Sequence, residues 1–543
     1  MIKTSVLVVG AGPVGLALAM ELSYRGIDSI IVDQGDGTVR YSKMGLVSIR
    51  SMEFCRRWGI AERVRQCGFP DDYPLNQVFC TSLNGHLISK LDYPGVRDEP
   101  TSGLSPEKKQ RCPQLWFDPI LAKAVSEQNT VSMRYHCLLE SFVQDGEGVS
   151  ATVRDLASDE TFTIRAAYMV ACDGAGSGVR KSLGIQLEGD HALSYSVGIY
   201  LRAPGLAAYH RMGPAERYML VGEEGTWGHL TVVDARDIWR LTVIGSQDKV
   251  ESEHFDADAW VRRCFGRDDI PFHVDAVLPW RRSRLVANAY SKGRVFLAGD
   301  ACHVMAPNGG YGMNTGLGDA VDIGWKLQAV LNGWAAPALL DSYELERRPV
   351  AWRNVDAAAS NFSLLTPKLS FAGIETSGAA GDETRRNLSY DLSERTRQEW
   401  EPHGINLGYR YEGSPIVMPD GTPEPADDPS RYIPTARPGH RAPHVELSDG
   451  RSTIDLFGPG FVLLSFGSAE LAEPIMAAAR TAGLPLNLHC LAEPAAAAAY
   501  ERALVLVRPD GHVAWRADAA PADPLAMLGQ VTASGPPRDR APM

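Results

Sequence analysis

A continuous apolar strand, Ser5 to Val9, runs into Gly10-Ala11-Gly12-Pro13-Val14-Gly15 and then into an apolar helical stretch, Val14 to Arg25. No other stretch of the chain constrains the fold as much. Glycines at these spacings allow a sharp turn, close approach of backbone to a ligand and tight packing of helix on strand, so a parallel strand with a crossover helix is implied. A second strand, Ser29 to Val32, completes a βαβ beginning, and Asp33 ends it 18 residues after Gly15. The helix N-terminus offers free N–H groups to a pyrophosphate, and an acid in that place suits a ribose hydroxyl. The hexapeptide by itself is weak evidence. With strand, helix and acid in place it predicts a dinucleotide site built on Gly10, Gly12, Gly15 and Asp33.

At 543 residues the chain exceeds the span of one hydrophobic core, so two or three domains are expected. An apolar fraction of 44% and a charged fraction of 22% are those of an ordinary soluble globular protein. The net charge of -12 is spread along the chain and no basic run occurs, which argues against nucleic acid or an anionic membrane surface as a partner. Nine cysteines lie far apart without metal-ligand spacing, so no metal site and no disulfide framework is expected, and a reducing cytoplasm fits best. Glycines interrupt the apolar opening, which therefore does not read as a signal peptide. No stretch has the length of a membrane-spanning helix.

Further along, Val295 to Ala298 reads as another buried strand and Met313 to Leu331 as a helix, so the nucleotide domain is assembled from separated pieces. Between them Ser194 to Leu201, Arg217 to Val221, Gly228 to Val233 and Trp239 to Ile244 look like strands without intervening helices. The expected fold is α/β: a discontinuous Rossmann-like domain over 1–75, 105–185 and 275–360, with an inserted antiparallel-sheet substrate domain over 76–104 and 186–274. A helical connector is expected over 361–411 and a proline-punctuated linker over 412–436. A terminal α/β domain follows over 437–535, in which the alanine run 495–499 is one helix face.

The first motif does not choose between FAD and NAD. Two later ones do: Ala171-Cys172-Asp173-Gly174 after the strand Tyr168 to Val170, and Gly299-Asp300-Ala301-Cys302-His303, leading through Pro307-Asn308-Gly309-Gly310-Tyr311-Gly312 into Met313-Asn314. In this order the motifs resemble those of the group A flavin monooxygenases, the aromatic hydroxylases typified by p-hydroxybenzoate and phenol hydroxylases. The resemblance covers about the first two-thirds of the chain and is strongest to the branch acting on phenols, hydroxyphenylpropionates and aromatic polyketides. It implies FAD held by Gly10, Gly12, Gly15, Asp33, Arg50, Gln114, Asp173, Gly299 and Asp300, with Asp300 on the ribityl chain. It also implies Pro307 beside the reactive flavin carbon and Gly310, Gly312, Met313 and Asn314 around the ring. The tail is similar to the thioredoxin-like domain of that branch, but with Cys490 alone it lacks a dithiol. Asp33 in place of a more usual glutamate, Gly176 in place of arginine and Tyr311 in place of glutamine depart from the family pattern.

What the resemblance implies is reduction of FAD by NADH or NADPH, formation of a flavin C4a-hydroperoxide with O2, and hydroxylation of a phenolic or other electron-rich aromatic substrate. A phenol of pKa ~10 is mostly neutral at pH 7, so an acceptor for its proton is expected over the flavin. His229, Tyr218 and Tyr200 on the inserted sheet, and Tyr311 on the flavin loop, are the candidates for that acceptor, while Pro307 belongs with the catalytic residues only as the proline beside the flavin. Rival readings are a Baeyer-Villiger oxygenase or epoxidase on an aromatic polyketide, and a flavin dehydrogenase or oxidase that inserts no oxygen. A homodimer is one open oligomeric state.

Overall fold

The computed structural model describes residues 1–365 and 369–535, so three residues of the expected helical connector lie outside the described residues. The first sheet grows from the opening motif. Ile2–Val9 pairs in parallel with Ser29–Val32 on one side and with Thr161–Ala171 on the other, and these are flanked by Val131–Arg134 and Val295–Leu297. Val6–Val9, Ser29–Val32 and Val295–Leu297 are buried on both faces and read as apolar runs, whereas Val131–Arg134 at the edge is half-exposed. The C-terminal ends of Ile2–Val9, Thr161–Ala171 and Val295–Leu297 lead into the three glycine motifs, which therefore meet along one edge.

Two helices cross over this edge, Pro13–Tyr24 and Tyr311–Leu331. The glycines within the second helix weaken its intrinsic propensity, and close packing explains them. A Cβ on Gly316 would stand 2.5 Å from a Val14 methyl and 3.1 Å from the Gly299 Cα. Gly15 is tighter still, since a Cβ there would lie 1.9 Å from the Gly10 carbonyl oxygen.

The second sheet has eight strands in the order His303–Val304, His273–Ala287, Leu187–Arg202, Ile238–Ser246, Gly225–Val232, Arg217–Gly222, Gln77–Cys80 and Leu87–Leu91. All neighbours are antiparallel except Arg217–Gly222 with Gln77–Cys80, so the inserted sheet is mixed at one pair. The expected strand at Ser194 is part of a much longer one, Leu187–Arg202, kept in register with His273–Ala287 despite two bulges. One face of this sheet packs Val197, Tyr218, Leu230 and Trp239 against the helix Ala257–Phe265. Alternation therefore turns Arg217, His229, Thr231 and Arg240 to the other face, toward the first domain.

The tail forms a four-stranded sheet, Leu486–Cys490, Phe461–Ser465, Leu504–Val507 and Val513–Ala517, with helices Ala469–Ala482 and Pro524–Val531. It shares an apolar core with the helix Tyr311–Leu331, where Trp325 meets Phe461 edge-on at 6.1 Å. The proline-rich stretch before it has no regular structure but is not loose. Tyr409, Tyr411, Ile416, Val417, Tyr432 and Ala436 are all buried, and the segment is a packed strap.

Candidate functional site

The glycine motifs and the inner face of the second sheet enclose a cavity of about 440 Å³. Gly12 and Pro13 line one end, Asp300 and Gln114 the middle, and Pro307, Gly309, Gly310, Gly312 and Met313 the floor. Arg111, Arg217, Thr231 and Arg240 form a further wall, joined to the Gly309 loop through Glu399. The size suits a small-molecule chamber.

The dinucleotide end fits the group that the sequence implies. The helix Pro13–Tyr24 begins at Gly12 without a side-chain cap, so its first N–H groups are free for a pyrophosphate. A Cβ on Gly12 meets nothing within 4 Å, so the space beside it is open and forms part of the cavity. Asp33 accepts from the Ala11 and Gly35 N–H groups, both at 2.7 Å, and so braces the turn. The paired expectation is that Gly12→Val leaves thermal unfolding near wild type while FAD content collapses. Gly15→Val should instead lower Tm and yield insoluble protein, because its methyls meet backbone. Equal loss of Tm in both would contradict this division.

Asp300 follows Gly299, whose φ of +62° and N–H bond to Asp319 at 3.1 Å turn the chain out of the strand. Its carboxylate is exposed to the cavity and has no protein partner among the described residues, as an acceptor for a polyhydroxyl chain requires. Beneath it His303 and Asp319 are hydrogen-bonded at 2.7 Å, and Arg347 holds the other Asp319 oxygen at 2.8 Å. With Cys302 these residues form a compact donor set, but the Asp319 oxygens are already taken, so the cluster braces the Gly299 turn. Asp173 accepts from the Val179 N–H at 3.2 Å while its other oxygen is buried and unpartnered. Gln114 caps the cleft, accepting from the Lys43 N–H at 3.2 Å.

The loop Pro307 to Gly310 contains two left-handed glycines, Gly309 at φ +83° and Gly310 at φ +68°, and opens the helix Tyr311–Leu331 without a side-chain cap. That leaves a positive helix end facing the cavity, where negative charge is stabilised. Asn314 does not line the cavity. Its amide ties the helix to the Ser48 N–H at 2.9 Å and to the Gly310 carbonyl at 2.7 Å, fixing the loop from behind.

Several expected site residues stand elsewhere. Arg50 is buried against the tail, pairing with Glu53 at 2.6 Å and donating to the Asp510 carbonyl at 2.7 Å, because the helix Ile49–Arg57 turns that face away from the cleft. Tyr218 lies on the outer face of its strand and donates to the Gly213 carbonyl at 2.6 Å. Tyr311 is buried, accepts from Asn361 at 3.0 Å and packs under the loop. Tyr200 lies behind the cavity wall, with its hydroxyl 3.3 Å from the Ser42 carbonyl oxygen. His229 is on the correct face, yet one pair of residues beyond Thr231 and outside the lining. Burial and the neighbouring Arg217, Arg240 and Arg282 push its pKa well down, so its ring is neutral.

What sequence reasoning missed is the arginine wall and the short helix that closes it. Arg111 pairs with Glu216 at 3.2 Å, and Arg217 approaches Glu399 at 3.3 Å. Arg240 has no acid partner among the described residues and donates to the Ser42 and Lys43 carbonyls. Three strand residues and a connector helix far apart in sequence carry no common motif; only the alternation at Arg217 and Arg240 hinted at a shared face.

Comparison with known proteins agrees with this geometry. A family described as FAD binding domain matches residues 3–358, and one described as aromatic-ring hydroxylase, C-terminal, matches 435–534. The chain belongs to the FAD-dependent aromatic-ring hydroxylases. Among relatives of this family, it is 33% identical to the 4-methyl-5-nitrocatechol 5-monooxygenase of Burkholderia sp, covering 97% of this chain and 96% of that one. It is 32% identical to the tetracenomycin B2 monooxygenase-dioxygenase of Streptomyces olivaceus, with 98% of both covered. Among solved structures, RebC soaked with chromopyrrolic acid and holding 7-carboxy-K252c has a TM-score of 0.92 at 39% identity, covering 98% of this chain and 100% of that one. A complex of aklavinone-11 hydroxylase with FAD and aklavinone has a TM-score of 0.84 at 29% identity, with coverage of 98% and 99%. This hydroxylase is therefore an FAD-dependent monooxygenase of the aromatic type. No helix among the described residues is long and apolar enough to cross a membrane.

Proposed function

We propose that this monooxygenase inserts oxygen, at the expense of NADH or NADPH, into an electron-rich polycyclic or phenolic aromatic compound that carries a carboxylate. The observation that supports this most is the arginine wall. Arg111, Arg217 and Arg240, with Lys43 and Lys109, line the cavity against three acids, Glu216, Glu399 and Asp300. In a chain of net charge -12 that is a local excess of positive charge, and it favours an anionic ligand. Arg240 keeps its charge free of any carboxylate, and the buried Nε atoms of Arg111, Arg217 and Arg240 have no partner among the described residues. The RebC structure, with its carboxylated ligand, and the phenol- and polyketide-oxidising relatives point the same way.

FAD, once reduced, supplies the activation of O2. The protein's part is positional. The Gly12 turn and Asp300 hold the cofactor, the uncapped helix at Tyr311 favours negative charge on the ring, and the arginine wall orients the substrate by its carboxylate.

A panel of phenols and indoles, each with and without a carboxyl group, tests this reading through stimulated NAD(P)H oxidation and the 18O2 label in the product. Carboxylated members should be preferred, and Arg240→Met should raise their KM by roughly ten- to hundredfold, as loss of a charge-assisted bond does, with little effect on kcat. Equal rates for neutral and carboxylated compounds would sink the anionic substrate. Label inserted beside a carbonyl as an ester would mean Baeyer-Villiger chemistry, and product without label would mean oxidation without insertion.

A further inference from the structure

Of the two lining glutamates that neither cofactor binding nor substrate anchoring uses, Glu216 is paired with Arg111, and Glu399 keeps a free oxygen. Glu399 lies on the short helix Arg397–Trp400, which closes the cavity between the flavin loop and the arginine wall. Its side chain is 1% exposed. One oxygen accepts from the Gly309 N–H at 3.2 Å and faces Arg217 at 3.3 Å, and the Asn308 side chain stands beside the carboxylate, while the other oxygen is buried and makes no close hydrogen bond among the described residues. A buried acceptor with no donor is costly, so a donor is expected to arrive with the ligand.

From this geometry we infer that Glu399 is the catalytic acid-base group of the chamber, receiving the proton of a ring O–H or N–H on the substrate. The inference rests on the monooxygenase reading above. The proton passes from the substrate heteroatom to the free Glu399 oxygen, leaving an electron-rich anion next to Arg217. As the ring carbon takes one oxygen atom the O–O bond breaks, and the other oxygen leaves as water, whose formation takes up the proton that the ring carbon then releases. Glu399 returns its own proton to the heteroatom, so the ring regains aromaticity and Glu399 its starting charge. Electrons come only from NAD(P)H.

The surroundings suit such exchange. Burial raises the Glu399 pKa, and Arg217, the Gly309 N–H and Asn308 oppose the rise, so the carboxylate is a stronger base than a surface glutamate yet remains ionisable. Arg282 from the strand His273–Ala287 and Tyr311 from the flavin-loop helix are the other titratable groups that feel it. Burial brings Arg282 down to about 9, where its guanidinium is still charged at neutral pH, and it raises the Tyr311 hydroxyl, which stays neutral. Neither takes a proton in the working range. The Trp400 ring under the Arg217 guanidinium, 4.8 Å away, keeps that cation in place.

Glu399→Gln keeps an oxygen for the Gly309 N–H and removes the basicity. With a carboxylated phenol from the panel as probe, it should lose on the order of a hundredfold in kcat/KM, and the acidic limb of the pH profile should vanish. FAD content should stay at wild-type level, Glu399→Asp should restore part of the rate, and hydrogen peroxide should replace product in the glutamine variant. An unchanged pH profile with full coupling in Glu399→Gln would overturn the inference. A second measurement needs no substrate: infrared difference titration of the holoenzyme labelled with 13C-glutamate should show a carboxyl that titrates above the ordinary glutamate range and is absent from Glu399→Gln. If no such band exists, Glu399 is not the proton carrier, whatever the panel shows. Failure of every panel compound with the band present would instead count against the substrate class.

Discussion

Replacing Arg508 with methionine should lower the stability of the folded chain by about 3–5 kcal/mol and release the tail from the FAD domain, the usual consequence of removing one partner of a buried ion network. Arg508 comes from the tail and is fully buried. It pairs with Glu346 at 2.6 Å, Asp510 at 2.7 Å and Asp322 at 3.2 Å, while Lys326 reaches both Asp322 and Glu346 at 2.6 Å. Without it, Asp322 and Glu346 share one lysine and Asp510 keeps only His512, at 3.5 Å. The measurement is calorimetric unfolding together with limited proteolysis between the domains; wild-type Tm and protection would refute the role assigned to this network. A second ion cluster at the same junction predicts how acid acts. Burial alone would raise the Glu53 pKa, but Arg441 and Arg50 hold it down at about 2. A carboxyl whose folded pKa lies below its unfolded value stabilises the fold above the unfolded value, near 4.5, and loses that contribution as pH falls toward 2. The shift corresponds to roughly 3 kcal/mol, so the junction should open between pH 4.5 and 2, and Glu53→Gln should flatten that limb.

Asp300→Ala is expected to give soluble, folded protein that emerges largely colourless. The carboxylate projects into the cavity, makes no bond to protein among the described residues and so contributes nothing to the fold that alanine would remove. Charge-assisted hydrogen bonds to sugar hydroxyls contribute about 1.5–3 kcal/mol, which is a loss of roughly ten- to hundredfold in FAD affinity. Fluorescence titration of the apoprotein with FAD reads this directly. A fully yellow variant of wild-type affinity would remove Asp300 from the cofactor site. Asp300→Asn, which keeps an acceptor oxygen without the charge, should lie between.

How much of this was legible in the chain differs between the two ends of the chamber. The cofactor end depends on backbone: a turn that tolerates no side chain at Gly15, open space at Gly12, and a left-handed Gly299 before Asp300. Such demands can be met by few residue types, so they leave a local, ordered signature, and the glycine motifs were read from sequence alone. Arg50 was misplaced because the motif around it resembles a cofactor contact, whereas its direction depends on which side of the helix Ile49–Arg57 the tail occupies. Tyr218 and His229 were undecided for the same reason on a strand. Alternation separates two faces, and only the packing of Leu230, Trp239 and their neighbours decides which face is the outer one.

The sequence by itself thus determined the parallel nucleotide-binding sheet, the inserted strands and the FAD turn, since each follows from local periodicity or from backbone geometry that only glycine adopts. Tertiary structure alone decided the chemistry above the flavin loop. Arg111, Arg217, Arg240 and Glu399 converge from three strands and a connector helix, and their charges acquire meaning only when burial removes the water between them.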